Sequence, residues 1–434
     1  MIWSRFNFMF NSGNGETLLY NSGSNSLMRL DEKASEKVTE IKANPNQDYS
    51  GSPDLYFKLR FGGFLVDDGA DDDLVRIQKM NRLASRYADG ELMLTIALTH
   101  NCNFVCSYCY ERNRTLTAMS DETMDGVIQF ISKHKLANKI KVYWYGGEPL
   151  LEFGRLKILS RKIQSIGLEY DAHLVTNGYL LTSEIIKGLG ELSLSHIQIT
   201  IDGIKETHDK RRRLLCGGGT YDRIVGNVDK LMCSGWGGCL NLRVNVDKVN
   251  CGEFIEVHDF FRQKCADKFD KRVSVYPGFI DNHEIMDSDC FTASDKGLFL
   301  IGLAEKHGID ALKMYPKLET SGCTMTKKNA YVVGPEGELY KCWRSLGNKN
   351  EVVGNVFGTD NWNMPMIARG MVGGSYLDDD GCVRCLFFPI CDGGCSKVRL
   401  MNSQSNGERD VCMHFKHHLE RFMDVHCRWQ KCFM

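Results

Sequence analysis

The stretch LMLTIALTHNCNFVCSYCYE, residues 92 to 111, joins an apolar run to a loop carrying Cys102, Cys106 and Cys109. LMLTIALTH (92–100) is nearly continuous in apolar and β-branched residues, which predicts a strand buried on both faces. Residues 120–134 follow with helical periodicity, and the alternation recurs downstream. KIKVYWYG (139–146) precedes a helix over 152–165, AHLVTN (172–177) one over 182–192, and HIQITID (196–202) one over 221–233. LNLRVNVD (240–247) precedes a helix over 252–265, and RVSVYPGF (272–279) one over 294–307. Six βα units with apolar strands argue an α/β fold on a parallel sheet, either a partial (β/α)6 barrel or an open doubly wound sheet. Both architectures place function at the carboxyl ends of the strands, and the three cysteines follow the first of these.

Composition narrows the class. At 434 residues, roughly two or three domains of ~150 residues are expected. With 54 Lys+Arg against 55 Asp+Glu, no global charge favours nucleic acid or an anionic membrane. No apolar run approaches the ~18 residues of a membrane span, and MIWSRFNFMF lacks the pattern of a secretory signal, so a cytoplasmic protein is expected. Eighteen cysteines in a reducing compartment point to metal or redox chemistry rather than disulfides.

Before residue 90, NFMF (7–10) and TLLYNS (17–22) flank a Gly-Asn-Gly turn and read as a hairpin. LDEKASEKVTEIKA (30–43) reads as an amphipathic helix, and PDLYFKLRFGGFLVDD as a short helix and strand, together a small winged-helix-like module. Beyond 310, the short strands NAYVVG (329–334) and ELYKCW (338–343) stand among Cys-, Gly- and Asp-rich loops with little apolar core.

Three thiolates on one loop can hold three corners of an iron–sulfur cube, which takes four cysteines when closed, so one iron stays open. CxxxCxxC alone also fits zinc or packed thiols. With Tyr108 before its third cysteine, the triad Cys102-x3-Cys106-x2-Cys109 resembles the signature of the radical S-adenosylmethionine (SAM) superfamily. That resemblance implies that SAM chelates the open iron and that one electron splits it to a 5′-deoxyadenosyl radical. Gly146-Gly147-Glu148-Pro149 is similar to the family's GGEP segment, which receives the methionine ammonium. The resemblance also assigns Thr176, Asn177, Thr200 and Asp202 to the ribose and methionine portions of SAM, with Asp202 among the catalytic residues. Arg212, in HDKRRR, is assigned to the SAM carboxylate. Lys210, Arg211 and Arg213 read as a solvated helix edge. Arg243 and Asn245 fit either the adenosine end or a polar barrel lining.

Seven cysteines follow in the order Cys323-x13-Gly337-x4-Cys342, a gap, then Cys382-x2-Cys385-x5-Cys391-x3-Cys395-x16-Cys412. A loop-rich segment with little core calls for metal, and two zinc ribbons are one answer. The arrangement resembles the SPASM domain of radical SAM enzymes that modify peptides. In that family Cys382, Cys385, Cys391 and Cys412 would close a distal auxiliary 4Fe-4S cluster, and Cys323, Cys342 and Cys395 would bind a proximal one. Three clusters in all are implied, with an open site on the proximal one unless Cys427 or Cys432 folds back; residues 313–320 supply no eighth cysteine. Cys216, Cys233, Cys239, Cys251, Cys265 and Cys290 lack ligand spacing and read as small buried hydrophobes. His258, His283 and His307 read as ordinary helix or loop residues, and the acidic runs 71–73 and 378–380 as solvated loops.

The resemblance implies a precursor-recognition module (1–90) that binds a leader peptide by strand addition, a radical SAM barrel (91–310) and a SPASM domain (311–434). The implied activity is maturation of a ribosomally made precursor by a thioether or carbon–carbon crosslink, with reduced flavodoxin or ferredoxin as donor. Epimerisation and formylglycine formation in a sulfatase are alternatives within that chemistry. A non-catalytic iron–sulfur or zinc scaffold, which would form no deoxyadenosine, is the alternative from another class.

Overall fold

The computed structural model describes all residues except 48, 50, 112–114, 270, 282–288, 319–321, 359–360, 406–408 and 432–434, so His283 and Cys432 lie outside the described residues. The chain forms two compact units. One comprises Tyr87–Phe291 and Cys323–Gly373, the other Met1–Arg86, Thr292–Gly322 and Gly374–Met434.

In the first unit the strands Glu91–Ala97, Lys139–Tyr145, Glu169–Thr176, Leu194–Ile201, Cys239–Val246 and Val273–Phe279 are all parallel and lie side by side in chain order. A doubly wound sheet reverses its strand order at a switch point; this one does not, which decides for the partial barrel. Ala330–Val333 extends the sheet parallel to the first strand, and Glu338–Tyr340 and Gly354–Asn355 follow antiparallel. Alternate residues Leu92, Leu94, Ile140, Val142, Trp144, Leu240, Leu242 and Val244 are buried, and helix residues Val127, Phe130, Leu156 and Leu159 join them in the core. Each such side chain contributes roughly 1.5–3 kcal/mol. The opposite face is polar and only partly buried along Lys141, Tyr143 and Tyr145, and along Asp171 and His173. That alternation is what a sheet shows when one face meets the helices and the other a lumen.

The second unit begins with three antiparallel strands, Asn7–Asn11, Thr17–Asn21 and Ser26–Leu30, followed by helices Glu32–Ala43, Pro53–Phe61 and Ala70–Tyr87; the last of these ends one residue into the first unit. The third strand extends the expected hairpin. The run Asp71 to Asp73 is not a loop: it opens the last of these helices, where acids suit the helix N-terminus. Asp71 is buried and accepts from Ser4 Oγ (2.8 Å) and the Arg5 N–H (2.7 Å). The run 378–380 likewise enters short helical turns, with Asp379 capping the Cys382 N–H at 3.0 Å. The helix Ala293–His307 belongs to this unit, where Gly297 lets the His414 carbonyl approach within 2.6 Å of where a Cβ would stand. The C-terminal helix Leu419–Lys431 buries Phe422, Met423 and Cys427, so this region has more apolar core than its loops suggest.

Arg82 joins the amino-terminal helices to the Cys-rich segment of the same unit. It is fully buried and donates from Nη2 to the carbonyls of Phe388 (2.7 Å) and Pro389 (3.0 Å), over the Phe388 ring. Replacing it by Met strips both carbonyls of a charged donor, at about 1.5–3 kcal/mol each at most. Arg82→Met is expected to lower the unfolding free energy of this unit by about 3 kcal/mol in urea titration followed by circular dichroism.

Candidate active site

The cysteine loop leaves the first strand and doubles back as the short strand Phe104–Cys106, which pairs antiparallel with Arg212–Leu214. Arg212 lies opposite Cys106 in that ribbon. This pairing selects one arginine from the basic run: Arg212 is buried, whereas Lys210 and Arg213 face solvent as expected. Arg211 departs from that reading, since it pairs with Asp247 at 2.8 Å.

The Gly-Gly-Glu turn is threaded onto the same loop. The Gly147 N–H donates to the Thr99 carbonyl (3.0 Å) and the Glu148 N–H to the Asn101 carbonyl (2.8 Å). Gly146 has φ +111°, which only glycine adopts without strain. A Cβ on Gly147 would stand 2.1 Å from the Asn101 oxygen. Glu148 is fully buried: Oε1 accepts from the Leu150 N–H (3.0 Å) and the Thr176 hydroxyl (2.7 Å), and Oε2 from the Asn177 N–H (2.8 Å). Burial pushes its carboxyl above the usual range, against the pull of those donors and of Arg212. Of about four acceptor positions on a carboxylate, these take three. Pro149 starts the helical turn that Glu148 caps.

The Tyr108 hydroxyl is a hub. It donates to Asp202 Oδ1 (2.8 Å) and accepts from Arg212 Nη1 (2.9 Å) and Asn245 Nδ2 (3.0 Å); Asn245 in turn accepts from Arg243 Nε (2.9 Å). The family motif asks only for an aromatic ring here; the phenol oxygen ties three sequence-selected residues together, and Asn245 brings in Arg243 as a fourth. Thr200 stands in register with Arg243 on the neighbouring strand, and Asn177 Nδ2 donates to Asn103 on the cysteine loop (2.8 Å). Asp202 and Arg212 are 3.8 Å apart. Burial raises the Asp202 carboxyl, with Arg212 opposing. Burial also works against the Arg212 charge, but Tyr108, Cys106 and Asp202 hold it firmly protonated.

His208 carries no motif of its own, and its only signal in the sequence is its place four residues before Arg212. Its Nδ1 accepts the Asp202 N–H (3.2 Å), and its Nε2 donates to Thr220 Oγ1 (3.1 Å), which donates to the Arg212 carbonyl (2.7 Å). That arrangement requires a neutral ring. Burial, with Arg212 nearby, depresses its pKa to about 3. The unfolded imidazole titrates near its usual ~6.5, so between these values the unfolded chain holds one more proton and stability rises with pH. On acidification from pH 6 to 5, wild type should therefore lose about 1 kcal/mol more unfolding free energy than His208→Gln, as read by urea titration at the two pH values.

The auxiliary cysteines fall in both units. Cys382, Cys385, Cys391, Cys395 and Cys412 belong to one, and Cys323 and Cys342 to the other. Of the cysteines read as buried hydrophobes, only Cys265 is buried; Cys239, Cys251 and Cys290 are partly so. Cys216 is exposed beside a Gly-rich turn and Cys233 at a helix end, positions the local sequence gives no core to cover. His258 is buried on its helix and His307 closes one.

Residues 96–261 match the radical SAM superfamily. The chain carries a radical SAM domain over these residues, of the kind that binds SAM and an iron–sulfur cluster. Among characterised proteins it is 23% identical over 358 residues to the cysteine-type anaerobic sulfatase-maturating enzyme of Clostridium perfringens, covering 74% of this chain and 92% of that protein. It is 28% identical over 183 residues to the GTP 3′,8-cyclase of the same organism, covering 41% of this chain and 53% of that one. Among solved structures, native anSMEcpe with bound AdoMet and Kp18Cys peptide superimposes with TM-score 0.62 at 22% identity, over 79% of this chain and 99% of that one. Streptococcus suis SuiB bound to SAM superimposes with TM-score 0.55 at 16% identity, over 95% of this chain and 100% of that one.

The residues present fit such a group. Asp202 Oδ2, Arg212 Nε and Asn103 Nδ2 are buried without a hydrogen-bond partner among the described residues, an arrangement suited to a zwitterionic ligand. Burial pushes the Cys102 thiol up to about 12, and its sulfur accepts the Phe104 N–H at 3.4 Å. A thiol so placed ionises readily only against a metal. Among the described residues no three His, Cys, Asp or Glu side chains converge as a single ion would require; a four-iron cube instead takes one thiolate per iron at separate corners.

Proposed function

We propose that this chain is a peptide maturase with three 4Fe-4S clusters, installing a thioether or carbon–carbon crosslink in a ribosomally made precursor. The observation that carries this reading is the fold match to SuiB, which runs over 95% of this chain, against 79% for the sulfatase maturase structure. SuiB has been solved bound to the precursor peptide SuiA.

Cys102, Cys106 and Cys109 would hold the SAM-binding cluster, which supplies a 5′-deoxyadenosyl radical once SAM is bound and an electron delivered. Glu148 would offer its remaining acceptor position to the methionine ammonium. Arg212 would meet the carboxylate, and Asp202 and Asn177 would orient the remainder, with Thr176 and Thr200 at the ends of their strands. Arg243 and Asn245 brace Tyr108 from the fifth strand. The half-buried polar face bearing Tyr143, His173 and Tyr145 suits a peptide side chain held out of bulk water. Residues 1–90 would bind a leader peptide by strand addition, with residues 91–310 as the barrel and 311–434 as the SPASM domain. Cys382, Cys385, Cys391 and Cys412 would hold the distal cluster, and Cys323, Cys342 and Cys395 the proximal one. Reduced flavodoxin or ferredoxin would serve as donor in the cytoplasm; among the described residues no helix is long and apolar enough to cross a membrane.

Formylglycine formation is the second reading, favoured by the 92% coverage of the Clostridium perfringens maturase. Coexpression with the short open reading frames flanking the gene, followed by tandem mass spectrometry, separates the two. Loss of a hydrogen pair with two residues joined is expected. A peptide aldehyde on a single residue would favour the second reading, and unmodified peptide beside an enzyme that forms deoxyadenosine would overturn the first.

A further inference from the structure

Three of the four cysteines assigned to the distal cluster receive an N–H on sulfur, and two of those donors are cations. Arg399 donates from Nη2 to Cys382 Sγ at 3.1 Å, Lys416 from Nζ to Cys412 Sγ at 3.1 Å, and the Gly393 N–H reaches Cys391 Sγ at 3.3 Å. Arg399 is held for this contact. Its Nη1 lies 3.3 Å from Asp379, the residue that caps Cys382, and its Nε donates to the Gly393 carbonyl. Its side chain is 14% exposed. Gly393 is equally constrained: it has φ +84°, and a Cβ there would stand 1.9 Å from the Tyr376 ring. Arg399 and the Gly393 N–H are thus fixed before any electron arrives.

Hydrogen bonds to the sulfurs and the net charge around a cluster set its reduction potential. Adding an electron makes a thiolate-ligated cube more negative, so a nearby permanent cation favours the reduced form. A guanidinium keeps its charge at any accessible pH. Removing a hydrogen pair from a peptide, as the proposed function requires, takes one hydrogen atom, one proton and one electron. The hydrogen atom goes to the deoxyadenosyl radical, and the electron needs an acceptor of the iron–sulfur class.

We propose that Arg399, seconded by Lys416, is a positioning residue that raises the reduction potential of the cluster held by Cys382, Cys385, Cys391 and Cys412, fitting that cluster to accept the electron withdrawn from the peptide. This rests on the assignment of those cysteines as cluster ligands. The test uses the full chain with Cys102, Cys106 and Cys109 replaced by Ala, reconstituted anaerobically with iron and sulfide and poised with redox mediators. Electron paramagnetic resonance reads the fraction reduced at each potential. Arg399→Met is expected to lower the reduced-to-oxidised ratio of one signal about tenfold at fixed poise, equivalent to about 59 mV for one electron. Arg399→Lys should restore most of it. Lys416→Met, at an exposed position, should shift the same signal in the same direction and by less.

Should Arg399→Met lose iron, Lys416→Met decides: an unmoved potential there overturns the proposal, and a lowered one supports it. Unchanged potentials in both variants with full iron overturn it while leaving the cluster assignment intact. Absence of any cluster from the triad variant overturns the assignment itself.

Discussion

Gly147→Ala is expected to reduce deoxyadenosine formation about a hundredfold while the barrel still folds. The added Cβ would meet the Asn101 oxygen at 2.1 Å, its carbon at 2.6 Å and the His100 oxygen at 2.7 Å. All three are backbone atoms of the cysteine loop, so no side chain can swing aside. Relief requires the turn and the loop to part by about 1 Å, a displacement that costs on the order of a hundredfold when it misplaces reacting groups. The accompanying stability loss is about 1–3 kcal/mol, as for other overpacked sites. Gly154→Ala is the control. A Cβ there meets nothing within 4 Å, and it sits in the helix Phe153–Gln164, where Ala is favoured over Gly by up to about 1 kcal/mol. Deoxyadenosine assay and urea titration of the two variants give opposite signs on stability if the turn is as tight as described.

Glu148→Gln carries the second large effect. The carboxylate accepts from two backbone N–H groups and one hydroxyl. A carboxamide has a single oxygen, so its NH2 must face the N–H of either Leu150 or Asn177, leaving a buried donor unmatched at about 1–3 kcal/mol. On the proposed function the larger loss falls on binding, where the charge pair that Glu148 would make with the SAM ammonium disappears, at about 2 kcal/mol or more. Equilibrium binding of SAM to the reconstituted variant should accordingly weaken at least about thirtyfold. Affinity within threefold of wild type would remove Glu148 from the ammonium site.

Much of the barrel could be read from the chain because each strand is a short apolar run set off by a helical period, and registers such as Tyr143–His173–His196 follow once the strands lie in order. The glycines of the Gly-Gly-Glu turn and the choice of Arg212 were accessible through a family pattern. What could not be read depends on contacts far apart in sequence. Arg212 is singled out from its neighbours by the ribbon with Phe104–Cys106, about a hundred residues away. Tyr108 showed its ring in the motif but not its hydroxyl partners at Asp202, Arg212 and Asn245. Asp71 looked like one of three solvated acids, and only the fold brings Ser4 Oγ and the Arg5 N–H to it. The strand Ser26–Leu30 is too short, and too close to the helix after it, for period-two patterning to stand out. The helical period over 294–307 is legible in the chain, but its place in the second compact unit, where Gly297 lies close under the His414 carbonyl, is not.

The central claim is that the loop bearing Cys102, Cys106 and Cys109 holds a cluster with an iron free for SAM. Its most direct test is anaerobic reconstitution of the full chain, incubation with SAM and dithionite, and quantification of 5′-deoxyadenosine by liquid chromatography. The account predicts steady production by wild type and none by Cys106→Ala at equal protein. A fully loaded wild type that releases no deoxyadenosine, or a Cys106→Ala variant that releases as much, would contradict it.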